Sequence, residues 1–123
     1  MARVLVVDDD EVVRTLIAAL LEEMQHEVNT VDNGVDALAA HRREPADLVI
    51  TDIYMPDMDG LELIRRINAS TSTPPIIAMS GSASARRMDV LPTAELFGAS
   101  AVLYKPVDLD ALAALVTRML AVN

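Results

Sequence analysis

The sequence contains no cysteine and no tryptophan, and its 123 residues include only two tyrosines and one phenylalanine. The absence of cysteine excludes disulfide bonds and thiolate metal sites, and it fits a reducing compartment. Because aromatic residues are scarce, any core must be built from aliphatic side chains, which the apolar fraction of 52% supplies. We therefore expect one domain stabilised by aliphatic packing.

The sequence also lacks long apolar segments and an excess of positive charge. No apolar run approaches the roughly 18 residues of a membrane span, and Met1-Ala2-Arg3 leads into a strand pattern without the features of a signal peptide. The net charge is −9, whereas nucleic acids and anionic lipids are bound by clustered lysine and arginine. We expect a cytoplasmic protein that binds neither nucleic acid nor membrane.

Four short apolar runs each lead to a polar residue that suits phosphoryl chemistry. The runs are 4–7, 48–50, 76–79 and 101–104, and they lead to Asp8-Asp9, Asp52, Ser80 and Lys105. Short apolar runs that alternate with helical patterns indicate parallel strands buried on both faces. In an open parallel sheet the ligand crevice lies outside the carboxyl ends of the strands. Three carboxylates, a hydroxyl and an ammonium are therefore predicted to meet at one edge of the sheet.

The order of elements predicts a (βα)₅ chain with right-handed crossovers and helices on both faces. We expect strands at about 3–8, 27–32, 47–52, 75–79 and 101–104. Helical patterns cover about 11–24 and 34–43, and two more begin at Gly60 and Asp108. Between residues 80 and 98 the pattern is less regular, and Pro92 is expected to begin a short helical turn. His26 and His41 are expected at the surface.

Five groups of residues together resemble the response-regulator receiver domains of two-component signalling. They are Asp8-Asp9, the segment 52–60 with the pattern D-x-x-M-P-x-M-D-G, Ser80-Gly81, Gly98-Ala99 and Lys105-Pro106. The resemblance implies an α/β fold, a doubly wound five-stranded parallel sheet of order 2-1-3-4-5, flavodoxin-like. It also implies that residues 1–123 form a single receiver domain with no output domain, similar to stand-alone chemotaxis-type regulators.

The same resemblance implies a role for each acidic residue at the strand ends. Asp52 corresponds to the phosphoacceptor, and Asp8 and Asp9 correspond to the acidic pair that binds metal. Mg²⁺ or Mn²⁺ would be held by Asp8, Asp9, Asp52 and the backbone carbonyl of Tyr54. Oxygen ligands are those that Mg²⁺ prefers. Asp10 is instead expected to cap the first helix.

Lys105 and Ser80 correspond to the groups that bind the phosphoryl group in the family. Lys105 is the single lysine among ten basic residues, and the resemblance implies a cis bond before Pro106. The sequence departs from the family where many members carry an aromatic residue three positions before this lysine, since Val102 stands there. Tyr104, two residues further along the same strand face, is a candidate to take over the signalling role.

The implied function is that of a phosphorylation-activated switch rather than an enzyme. A sensor histidine kinase or a histidine phosphotransfer protein would donate the phosphoryl group, and a downstream protein target would respond. Two alternatives remain open at this stage. One is a pseudo-receiver that binds partners without phosphorylation. The other is a haloacid-dehalogenase-like phosphatase, because Asp8-x-Asp10 after a strand also fits the first motif of those enzymes.

Overall fold

The described part of the chain forms strands and helices in the order predicted for it. The computed structural model describes residues 1–55, 57–70, 73–81 and 98–121. The strands are β1 Arg3–Val7, β2 Glu27–Val31, β3 Leu48–Asp52, β4 Ile76–Ser80 and β5 Ala101–Tyr104. The helices in these ranges are α1 Glu11–Glu23, α2 Gly34–Arg43, α3 Gly60–Asn68 and α4 Leu109–Ala121, and none is long and apolar enough to cross a membrane. The turn expected at Pro92 lies outside the described residues.

The five strands form one sheet in the order β2-β1-β3-β4-β5, and all neighbouring strands are parallel. The predicted fold class and strand order are thus confirmed. β1 and β3 are direct neighbours, with Val7 opposite Thr51. The residues that follow these two positions, Asp8 and Asp52, are consequently brought to the same edge of the sheet.

Two aliphatic layers cover the two faces of the sheet. Alternate residues of β1 face opposite layers, so that Leu5 and Val7 pack with the α2–α3 side while Val4 and Val6 pack with the α1–α4 side. Every residue of β3 and of β4 is buried. Central strands covered on both faces need continuous apolar sequence, which explains why these runs showed no polar alternation.

The helix starts are fixed by polar caps, which account for small differences from the expected boundaries. Asp10 precedes α1, and its side chain accepts hydrogen bonds from the backbone N–H groups of Val12 and Val13. Asp108 was expected to be the first residue of the last helix, but it lies before α4 and accepts from the N–H groups of Asp110 and Ala111. Among the strands, β4 begins and ends one residue later than expected.

The prediction that His41 lies at the surface is wrong. Its side chain is 2% exposed, and its Nδ1 accepts a hydrogen bond of 3.0 Å from the backbone N–H of Ala46. His41 follows Ala37 by four residues and Leu38 by three, so it lies on the buried face of α2. The spacing of His41 from Ala37 and Leu38 was a signal for this burial, but a histidine is polar and was therefore expected at the surface.

Candidate functional site

Three carboxylates converge where β1 and β3 end. Asp8, Asp9 and Asp52 each offer one carboxylate oxygen, and these three oxygens lie within 4.8 Å of one another. Asp8 and Asp52 are buried at 0% and 5% exposure, whereas Asp9 is exposed. The cluster therefore has a buried floor and is open to solvent on the Asp9 side.

Lys105 is the cation of this cluster within the described residues. Its Nζ lies 2.7 Å from Asp8 Oδ2 and 3.3 Å from Asp52 Oδ2. The backbone N–H of Lys105 donates to the carbonyl of Ser80, which ends β4. One ammonium faces three carboxylates, so the site carries a formal excess of two negative charges. The lysine predicted from the sequence thus lies with the acids, and a backbone hydrogen bond links it to Ser80.

The electrostatic state of Asp52 follows from its burial among like charges. Burial and the charge of Asp8 raise the pKa of Asp52 to about 6, although Lys105 acts in the opposite direction. Burial by itself would lower the pKa of Lys105, but Asp8 and Asp52 raise it above its ordinary value. Lys105 is therefore charged at neutral pH, and Asp52 is mostly ionised only above about pH 6.

The turn between β1 and α1 is held by the backbone and by aspartate side chains. The backbone N–H of Asp8 donates to the carbonyl of Val31 on β2. Asp8 Oδ1 accepts a hydrogen bond of 2.9 Å from the N–H of Asp10. Asp10 in turn caps α1, as expected from the sequence. The acidic run thus divides into two residues of the cluster and one structural cap.

The other oxygen of Asp8, Oδ2, is inaccessible to solvent and accepts no hydrogen bond of good geometry from the described residues. The close Lys105 ammonium is its ionic partner. Buried carboxylate oxygens with spare acceptor capacity suit a hard divalent cation such as Mg²⁺, which retains water on its exposed side. The exposure of Asp9 leaves room for such water. The residues present therefore fit the metal that the sequence implied.

The loop after β3 is packed directly against the backbone of Asp52. Gly60 donates its N–H to the carbonyl of Ile53 at 2.8 Å, and a Cβ at Gly60 would lie 2.7 Å from the Cα of Ile53 and closer still to the carbonyl oxygen of Asp52. Thr51, which the sequence analysis did not single out, is fully buried and donates its hydroxyl to that same carbonyl at 2.9 Å. The signal in the sequence that could have identified Thr51 is its position as a polar residue at the end of an apolar strand run.

Gly60→Ala is expected to destabilise the protein by about 2 kcal/mol, because overpacking against backbone costs roughly 1–3 kcal/mol. The added methyl group would push on the Asp52–Ile53 backbone, which cannot move away like a flexible side chain. Urea unfolding followed by circular dichroism measures the change. Unaltered stability in this variant would contradict the close packing described here.

The remaining predicted site residues lie around the same edge. Ser80 is 2% exposed and is paired in register with Tyr104. Tyr104 and Tyr54 are about half exposed, while Val102 packs against the α2–α3 layer. The peptide bond between Lys105 and Pro106 is cis.

The parallel α/β sheet thus carries an acidic cluster and a lysine at its carboxyl edge, an arrangement that suits a phosphoacceptor domain. Comparison with known families makes the assignment specific. Residues 4–117 match the model of the response regulator receiver domain. The chain belongs to this family, the receiver domains of two-component systems, which act together with histidine kinases.

Curated relatives and solved structures agree with this assignment. The chain is 36% identical over 109 residues to the sensor histidine kinase RcsC of Salmonella typhi, covering 89% of this chain and 11% of the relative. It is 38% identical over 122 residues to the DNA-binding transcriptional regulator NtrC of Azospirillum brasilense, covering 99% and 25%. The receiver domain of NtrX from Brucella abortus superposes with a TM-score of 0.88 at 30% identity, covering 98% and 99%. The chain thus spans a quarter or less of these two curated relatives.

Proposed function

We propose that Asp52 accepts a phosphoryl group from a sensor histidine kinase or a histidine phosphotransfer protein in the cytoplasm, and that the modified receiver, residues 1–123, then changes its contacts with a downstream protein target. The observation that carries this proposal is the position of the Asp52 carboxylate, which has an oxygen within 4.8 Å of oxygens of Asp8 and Asp9 and lies 3.3 Å from the Lys105 ammonium. A nucleophile next to a cation site and a fixed positive charge is the arrangement that phosphoryl transfer needs.

The reaction forms an acyl phosphate on Asp52. One oxygen of the ionised carboxylate attacks phosphorus in line, and the bond from phosphorus to the donor nitrogen breaks. The imidazole of the donor leaves with the electron pair and takes up a proton. Asp8, Asp9, Asp52 and the backbone carbonyl of Tyr54 would hold Mg²⁺ or Mn²⁺, which when bound neutralises charge on the phosphoryl oxygens.

Lys105 and Ser80 are proposed to bind the phosphoryl group once it is attached. The Lys105 ammonium already contacts Asp52 Oδ2, and a flexible ammonium can follow the new oxygens. Hydrogen bonds to charged groups contribute about 1.5–3 kcal/mol each, so two such groups supply several kcal/mol. A complete change of population from 1:99 to 99:1 needs about 5.5 kcal/mol. Rearrangement near Ser80 and Tyr104 is thus energetically accessible to phosphorylation.

The proposed docking surface for the phosphodonor is the exposed apolar side of α1. Val12 is 66% exposed and Leu16 is 51% exposed, and these residues lie one turn apart on the same side of the helix. They follow directly after the turn that carries Asp9. Exposed apolar side chains next to a reactive site are suited to a partner protein that must bring its histidine close.

Leu16→Asp is expected to slow phosphotransfer from a cognate histidine protein about tenfold, because loss of an interface contact worth roughly 1.4 kcal/mol changes affinity tenfold. The rate of phosphorylation by acetyl phosphate should stay unchanged, since that donor needs no docking surface. Val35→Asp is the matched control, as Val35 is 55% exposed on α2 at the other face of the sheet. If both variants slow phosphotransfer equally, or if neither slows it, the result argues against docking on α1.

The direct test of the proposed function is incubation with acetyl phosphate and Mg²⁺, followed by intact mass and by peptide mapping. We expect one added phosphoryl group on the peptide that contains Asp52. No group should be added when the metal is chelated before the incubation. No addition from either acetyl phosphate or a histidine kinase would favour a phosphorylation-independent pseudo-receiver. Sustained turnover of p-nitrophenyl phosphate would favour a haloacid-dehalogenase-like phosphatase instead.

A further inference from the structure

Arg14 on α1 contacts the acidic cluster through the backbone rather than through a carboxylate. Its Nη1 donates a hydrogen bond of 2.8 Å to the carbonyl oxygen of Asp8, and the side chain is partly buried. That carbonyl belongs to the peptide that joins Asp8 to Asp9. The guanidinium therefore holds the very peptide plane that carries the two neighbouring acids of the cation site.

The contact matters because the two acids are held in different ways. Asp8 is fully buried, and its Oδ1 accepts from the N–H of Asp10. Asp9 is exposed, so surrounding side chains constrain its carboxylate much less. Its direction depends on the orientation of the Asp8–Asp9 peptide, whose carbonyl accepts the hydrogen bond from Arg14. The peptide before it is held separately, since the N–H of Asp8 donates to the carbonyl of Val31. Rotation of the Asp8–Asp9 peptide would swing Asp9 away from the cluster.

We propose that Arg14 is a positioning residue for the cation site, which keeps the Asp9 carboxylate aligned with Asp8 and Asp52 by fixing the Asp8 carbonyl. This inference rests on the cation site of the proposed function. It assigns Arg14 a role different from that of Lys105, whose ammonium pairs with the carboxylates themselves. Residues that orient metal ligands typically change metal affinity by about 10–100-fold when they are removed.

The sign of the effect separates positioning from simple charge. A positive side chain near the cluster repels a divalent cation, so an arginine that acted only through its charge would weaken binding, and its removal would tighten it. An arginine that orients Asp9 strengthens binding, and its removal weakens it. The two explanations thus predict opposite changes in the dissociation constant for metal.

The experiment measures Mn²⁺ binding to the full chain by electron paramagnetic resonance of the free ion, with no phosphodonor present. Arg14→Gln is expected to raise the dissociation constant about tenfold. Arg14→Lys, which keeps a charged donor, should restore it to within about threefold of the original protein. Arg42→Gln, which removes an exposed arginine near the end of α2, controls for net charge and should leave binding unchanged.

Unchanged or tighter Mn²⁺ binding by a folded Arg14→Gln protein would overturn the inference. So would a failure of Arg14→Lys to restore affinity. If Arg14→Gln does not fold, Arg14→Met keeps the aliphatic stem and takes its place with the same expected tenfold change. A wild-type chain that binds no Mn²⁺ would refute the cation site and this inference together. If the original protein binds Mn²⁺ and takes up a phosphoryl group, but Arg14→Gln binds Mn²⁺ equally well, this inference is refuted and the proposed function is not.

Discussion

Asp52→Asn is expected to abolish phosphoryl uptake completely and to stabilise the metal-free protein by about 3 kcal/mol at pH 7.5. The loss of uptake follows because an amide is not a nucleophile for phosphorus under these conditions. The gain in stability follows because Asp52 is a buried acid whose pKa lies at about 6, above the ordinary value of 3.8. An ionised carboxylate at this position is unfavourable to the folded state, and the amide removes that charge.

The pH dependence has a definite sign. Between pH 3.8 and about pH 6 the folded chain retains a proton on Asp52 that the unfolded chain has lost. Raising the pH through this window therefore lowers the free energy of unfolding, and above it the full loss of about 3 kcal/mol is present. The asparagine variant does not experience this loss. Its advantage over the original protein should grow from near zero at pH 4 to its full value at pH 7.5.

Urea unfolding in the presence of a chelator, at several pH values, measures this difference. Asp57→Asn is the matched control, because Asp57 is exposed in the loop that follows β3. Its φ of 66° lies in the left-handed region, which asparagine also tolerates. The control should leave stability nearly unchanged.

Addition of Mg²⁺ should narrow the difference in stability between Asp52→Asn and the original protein, because a cation that binds the folded acidic site stabilises the original protein more than the variant. A gap that is independent of pH would contradict the assignment of the raised pKa to Asp52.

The parts of the fold that the sequence predicted are those in which local pattern and tertiary packing agree. The apolar runs of β3 and β4 are buried at every residue, as expected of central parallel strands covered on both faces. Asp10 was identified as a cap because side-chain oxygens before a helix have few alternative roles. The convergence of Asp8, Asp9 and Asp52 was predictable because parallel strands share one carboxyl edge.

The features that escaped prediction depend on individual hydrogen bonds of polar side chains. His41 lies on the buried side of α2, where its imidazole accepts a hydrogen bond from the backbone N–H of Ala46, and periodicity does not indicate this partner. The hydrogen bond of Arg14 to the Asp8 carbonyl requires the exact path of the turn before α1. Thr51 is satisfied by the carbonyl of the next residue. In each case a polar group is placed by one specific partner rather than by a repeating pattern.

Lys105→Met is expected to lower the free energy of unfolding of the metal-free protein by about 3 kcal/mol at pH 7.5, because breaking a buried ion pair by removing one partner costs roughly 3–5 kcal/mol. Asp8 and Asp52 would be left close together without their cation, since Lys105 Nζ lies 2.7 Å and 3.3 Å from them. Lys105 also holds the pKa of Asp52 down. Without it, the pKa of Asp52 should rise further, so Asp52 is protonated at pH 5 and the loss of stability should be smaller there.

Chemical unfolding of the single and double variants tests whether the loss arises from these charges. Asp52→Asn should stabilise the Lys105→Met protein by clearly more than the roughly 3 kcal/mol that it gives the original protein, because the buried Asp52 charge is more costly without the ammonium beside it. Arg42→Met removes an exposed cation far from the site and should change stability by well under 1 kcal/mol. If Lys105→Met were as stable as the original protein at pH 7.5, the ammonium would not be compensating the acids. Purely additive effects in the double variant would show that Lys105 acts through packing of its stem, and the charge balance on which phosphoryl binding depends would need another source.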